Sequence, residues 1–314
     1  MRENRHICCC KIIIMKRLIF TFVFSVCALL NLNAQNFQGM AVYESKTSTS
    51  DFKSRFEGNK DITPEMQKNI EERMKKMFEK TFILNFDKTA SIYKEEEKLE
   101  APGQQGGGFK MMSSMMGGGG TYYKDVKQKI YTVDKEFMGK EFLVKDTLSN
   151  LKWKMESDTK QIGGYTCYKA TAVIPAPKSD FRNFRPKNRD EKKDDKKEMA
   201  AEPAKDKKTN FMDDIELPKE ITITAWYAPE IPVNQGPESY WGLPGLILEV
   251  NDGKTMILCS KIVLNVKDKA SIKAPDNGKV VSQKEYDDIV VKKMEEMQQM
   301  YKGQGRGNNI RIGG

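Results

Sequence analysis

The chain has 314 residues, 31% of them charged, with a mean hydropathy of −0.63 and a formal net charge of +9. That is too polar for a membrane protein and long enough for one large domain or two small ones. Its basic residues do not gather in one patch with interleaved aromatics, which argues against nucleic acid as a partner.

Residues 1–34 read as a secretory signal peptide. Met15-Lys16-Arg17 supplies a basic start, Leu18 to Leu30 an apolar middle and Ala34 a small final residue. The apolar run is too short for a confident membrane span, and Met15 fits the true start. Phe24-Ser25-Val26 before Cys27 lacks the small residue of a lipoprotein signal, so a soluble exported protein, periplasmic or secreted, is expected. Removal takes away five basic residues and one acid, and the net charge falls by four to +5. It also removes His6, the sole histidine, and four of the six cysteines. Mechanisms that need a histidine base or ligand are then excluded.

Residues 35–302 read as a single β-rich domain. Met40-Ala41-Val42-Tyr43 marks a first strand. Thr63-Pro64-Glu65 marks a helix start, with Met66, Ile70, Met74, Met77 and Phe78 along one face. Thr81 to Tyr93 alternates as a strand that turns at Asp87-Lys88. Residues 101–120 are too glycine-rich to repay ordering and are expected to be a disordered insertion. Short runs near Tyr122, Ile130, Phe142 and Trp153 have the rhythm of an antiparallel meander. Gly163-Gly164 turns the chain into Tyr165 to Ile174, and residues 178–212, with their dense mixed charge, form a second disordered insertion. Leu246 to Val250 and Thr255 to Val266 form a hairpin around Asn251-Asp252-Gly253-Lys254. Ser282 and Glu285 make a capping box for a helix that carries Tyr286, Val290, Met294, Met297 and Tyr301. The glycine-rich tail, 303–314, is expected to fray.

Between strand and hairpin lies the most distinctive stretch, Trp226 to Val250. Leu243-Pro244-Gly245-Leu246 suits a type II turn, with proline at φ near −65° and Gly245 at positive φ. Gly242-Leu243-Pro244-Gly245-Leu246-Ile247 matches without mismatch the hexapeptide that names the GLPGLI family. Gly164-Tyr165-Thr166-Cys167-Tyr168-Lys169-Ala170, Leu84-Asn85-Phe86, and Trp226-Tyr227 with Ile231-Pro232 are similar to that family as well. The resemblance implies an exported protein of Gram-negative bacteria, of unknown function, encoded beside outer-membrane receptor systems.

Candidate chemistry is sparse. Met294, Met297 and Met300 stand three apart and Met111, Met112, Met115 and Met116 cluster, so thioether binding of cuprous copper stands beside the plainer reading as core fillers. Cys167 and Cys259 sit on the more polar faces of their strands, where cross-strand neighbours would bridge and non-neighbours would stay thiols. Trp226, Tyr227, Tyr240 and Trp241 either pack beneath the turn or rim a partner surface. No phosphate loop, nucleophile elbow or metal-spaced pair occurs, and no cofactor is implied.

The fold expected is mainly β: a single curved antiparallel sheet or half-barrel with one or two packing helices, loosely similar to the LolA-type carriers. A non-enzymatic exported accessory protein follows, binding an apolar ligand or peptide in a cleft between sheet and helix. The alternative is a structural or envelope protein-interaction module with a filled core.

Overall fold

The computed structural model describes residues 17, 37–49, 63–96, 120–177, 179, 185–186, 215–216, 218–266 and 270–304. All of the expected signal segment but residue 17, most of both expected insertions, the Met111 to Met116 cluster and the tail from 305 lie outside these.

The strands in chain order are β1 (Gln38–Thr47), β2 (Glu79–Asp87), β3 (Ala90–Glu95), β4 (Thr121–Asp125), β5 (Ile130–Phe137) and β6 (Lys140–Thr147). Then come β7 (Lys154–Ile162), β8 (Tyr165–Pro175), β9 (Arg185–Pro186), β10 (Ile215–Glu216), β11 (Glu220–Ala228), β12 (Leu246–Asn251), β13 (Thr255–Leu264) and β14 (Lys279–Val281). Helix α1 spans Pro64–Phe78 and α2 spans Gln283–Gln304. The protein is mainly β, as the strand rhythm predicts. Twelve strands form one open sheet in the order β14-β6-β5-β4-β3-β2-β1-β13-β12-β11-β8-β7, and β9 and β10 form a separate pair. Every neighbouring pair in the large sheet is antiparallel except β14 with β6, so the sheet is mixed rather than purely antiparallel.

Local signals are met by local hydrogen bonds. The Thr63 hydroxyl accepts from Met66 N at 3.2 Å, with Pro64 opening α1. Asp87 Oδ1 accepts from Thr89 N and Ala90 N and turns β2 into β3. Ser282 N donates to Glu285 Oε2 at 2.7 Å while Glu285 N donates to the Ser282 hydroxyl, the reciprocal box read from the sequence. Ile174 and Ile221, on either side of the charged insertion, are direct cross-strand partners. The expected strand at Leu151 to Met155 starts later: Leu151 and Trp153 are coil, and β7 begins at Lys154.

Pairing aligns inward side chains into rows. One row runs Ala41, Leu84, Tyr93, Tyr122, Val133 and Val144, and its neighbour runs Phe86, Ser91, Lys124 and Tyr131. A single buried cluster joins Phe82 and Leu84 of β2 to Cys167 of β8, five strands away. A flat sheet would hold them roughly 24 Å apart, so this sheet curves around its core. A second cluster packs Tyr286, Val290 and Met294 of α2 against Phe142, Val144 and Val281. A third, holding Ile221, Ile223, Ala225 and Ala170, covers the opposite face of β8 and β11. Met74, Met77 and Phe78 of α1 form a small fourth cluster, with Ile70 against it, while Met66 is 49% exposed.

The faces predicted for β13 need correction. Val42 pairs with Lys261 and Tyr43 with Cys259, so Ser260 is an extra residue, a β-bulge. Thr255, Ile257 and Cys259 therefore point inward, and beyond the bulge Ile262 and Leu264 do. Met256 and Leu258 lie on the outside.

Candidate functional site

The loop between β11 and β12, residues 229–245, places side chains in three of the four clusters. Ile231 and Val233 enter the first, Trp241 the second, and Tyr240 and Leu243 the third. Prolines set its tight corners. Val233 N donates to Ile231 O at 2.8 Å around Pro232, and Gly245 N donates to Leu243 O at 2.9 Å around Pro244. Both are three-residue γ-turns, which suit the fixed φ of proline. The type II turn expected at Leu243 to Leu246 is thus replaced by a tighter one. Gly245 is not at positive φ; a Cβ there would stand 2.3 Å from Ala228 O, so glycine is needed for backbone approach. Gly242 is the residue at positive φ, +92°.

Beneath this loop lies a fully buried lysine. Lys124 Nζ donates to the carbonyls of Gly236 and Tyr240, the latter at 3.0 Å. Burial lowers its pKa to about 7, with the Glu238 carboxylate pulling the other way. A neutral amine keeps two N–H donors for the two carbonyls, so the contact survives loss of charge. Ser91 Oγ donates to Gln235 Oε1 at 2.8 Å beside it, and Tyr43 Oη donates to Ile247 O at 2.7 Å. Lys124 and Ser91 thus hold the loop itself, and Tyr43 holds the last residue of the motif, in β12. The arrangement anchors a loop. The sequence carries little signal for Lys124, which reads there as an ordinary strand lysine.

The four aromatics fall mainly to packing. Tyr227, Tyr240 and Trp241 are buried, and Trp226 is half-buried with Lys160 Nζ 4.3 Å from its ring centroid. Of the two readings the burial favours packing, while Tyr227 also lines an external depression. Trp153 Nε1 donates to Trp241 O and Trp241 Nε1 donates to Ser149 O, both at 2.9 Å.

Cys167 and Cys259 are free thiols and both are buried. They are not cross-strand neighbours, since β12 and β11 stand between β13 and β8, and of the two readings the structure has the separate thiols. Nor are their faces the polar ones, because both point into the first core. Burial pushes Cys167 up to about 11 and Cys259 to about 12, and proximity to Cys167 adds to the latter. Of the helical methionines, Met294 is buried, Met297 packs partly against the same cluster and Met300 is 65% exposed. Among the described residues no group of three or more His, Cys, Asp or Glu is placed to hold a metal, and no helix is long and apolar enough to cross a membrane.

Where a cleft between helix and sheet is expected, Phe142, Tyr286, Val290 and Met294 pack together beneath α2. The Phe142 and Tyr286 rings meet edge-on at 5.6 Å. Among the described residues, an external depression of about 410 Å³ is lined by Thr166, Tyr168, Tyr227, Pro229 and Glu230. The Tyr168 and Tyr227 rings stand 6.2 Å apart, and Thr166 N donates to Glu230 Oε1 at 3.0 Å.

A family model described as "Protein of unknown function (Porph_ging)" matches residues 153–249, a segment running from β7 to the end of the motif loop and into β12. Comparison with curated proteins finds no match. Two solved structures of a protein titled PNGF-II, in C2 and P21 space groups, are similar at 14% and 13% identity, each with a TM-score of 0.40. Both alignments cover 81% of this chain, which spans only 32% and 33% of the length of those proteins. Residues 153–249 are thus similar to a family of unknown function, and they include all six residues of the motif from Gly242 to Ile247.

Proposed function

We propose that the protein is a non-enzymatic, exported accessory protein of the GLPGLI type, which acts in the cell envelope by engaging another envelope protein through its surface. The observation that carries this reading is the filled interior. The inner face of the sheet, the helix interface and the motif loop are occupied by the chain's own side chains. An apolar-ligand carrier needs a cleft that Phe142, Tyr286, Val290 and Met294 already fill, so the interaction reading takes precedence. The sole histidine lies in the leader, and the motif glycines and proline have structural duties; both support a role without catalysis.

Native mass spectrometry of the protein extracted from the periplasm tests this. The mass expected is that of the processed polypeptide alone. A stoichiometric acyl-chain adduct that survives extraction would restore the carrier reading, and absence of the protein from both the periplasmic fraction and the medium would remove export.

A further inference from the structure

We infer that the depression beside Tyr168 is a binding site for a cationic side chain, an arginine presented by the partner protein. This rests on the interaction reading and adds the chemistry it recognises. Strand pairing sorts the charges of β7 and β8 onto one face. There Lys160 bridges Glu249 at 2.6 Å, and Lys169 bridges Glu156 at 2.8 Å and Asp158 at 3.0 Å. The other face of the same strands is neutral. In register, it presents Met155, Thr159 and Gln161 from β7, Thr166, Tyr168 and Ala170 from β8, and Ala225 and Tyr227 from β11. The one carboxylate lining the depression is Glu230, at its rim. Thr166 N fixes its Oε1 and leaves the second oxygen able to accept from a ligand.

A carboxylate held beside two tyrosine rings, with no lysine among the described residues that line the depression, is complementary to a cation. A planar guanidinium can stack on the 40% exposed Tyr168 while donating to Glu230. The floor is firm. Tyr227 is nearly buried, and its hydroxyl donates to Met155 Sδ at 3.7 Å, so the second ring is held in place. The depression accommodates one side chain, and a weak, exchangeable contact is the expected result.

The test titrates N-acetyl-arginine amide, and separately its neutral isostere N-acetyl-citrulline amide, into the full processed protein while the Thr166 amide resonance is followed. Thr166 N–H reports directly because it donates to Glu230. Saturable movement with the arginine compound, at least about tenfold weaker with citrulline, is expected. Glu230→Gln keeps an acceptor for Thr166 and removes the charge; it should weaken binding by about threefold to fivefold, and Tyr168→Leu by about fivefold. Equal binding of the two compounds, or undiminished binding by Glu230→Gln, overturns the site. So does no movement of Thr166 at tens of millimolar. If Tyr168→Leu fails to fold, Glu230→Gln at the exposed rim still decides. Failure here would leave the mass-spectrometric result for the filled core unaffected, so the two readings fall separately.

Discussion

Trp153 and Trp241 are joined through the backbone of one of them: the Trp153 indole donates to the Trp241 carbonyl at 2.9 Å. The Trp241 indole continues the chain to Ser149 O. The segment before β7 is thereby tied to the loop that crosses the sheet. Trp153→Phe keeps most of the ring and removes the donor from a part-buried carbonyl. A loss of about 1–2 kcal/mol in urea unfolding is expected. A loss below a few tenths would mean that the link contributes nothing.

The two motif glycines should differ sharply on substitution. At Gly245 an added Cβ meets the backbone of Ala228 and Pro229, which cannot swing aside as a side chain can. Gly245→Ala is expected to cost about 3 kcal/mol or more. Gly242 has its nearest obstacle, Trp153 Nε1, at 3.9 Å, so Gly242→Ala carries only the positive-φ strain, about 1–2 kcal/mol. Equal costs in chemical denaturation would refute this division of roles.

Lys124 makes stability depend on pH in a defined direction. Its folded pKa, about 7, lies below the ordinary 10.5. Below both values the lysine is protonated folded and unfolded, and contributes no slope. Between them the unfolded chain binds a proton that the folded chain does not, so stability rises with pH, by up to about 5 kcal/mol across the window. Lys124→Met should flatten that rise relative to wild type in denaturation midpoints measured from neutral to alkaline pH. Parallel profiles for the two proteins would refute the burial of an ionisable amine.

The thiols provide a further check. With both pKa values raised by burial, Cys167 and Cys259 should resist an aromatic disulfide reagent in the folded protein at mildly alkaline pH. Both should react once the processed chain is unfolded. No reaction in denaturant without reductant would mean that the two are bridged.

Cuprous ion should not distinguish wild type from a variant with Met294, Met297 and Met300 all changed to leucine. Met294 sits in the core while Met300 faces outward, so the three sulfurs do not present one site. A clear loss of affinity in the variant would establish a helical copper site.

The sequence by itself determined whatever depends on neighbours along the chain. The Thr63 cap, the Ser282–Glu285 box, the Asp87 turn and the Gly163-Gly164 hairpin are each closed by partners a few residues away, so residue type and spacing suffice. Strand alternation likewise made the mainly β class legible. Tertiary structure alone decided which face is inside and which groups are buried. One bulged residue, Ser260, reverses the alternation of β13, and no period-two pattern read along Thr255 to Leu264 reveals where that happens. Lys124 became a core residue because its acceptors, at Gly236 and Tyr240, are more than a hundred residues away. The depression depends on the same long-range register. Tyr168 and Tyr227 become neighbours only when β8 pairs with β11, and Glu230 reaches Thr166 only across that pair.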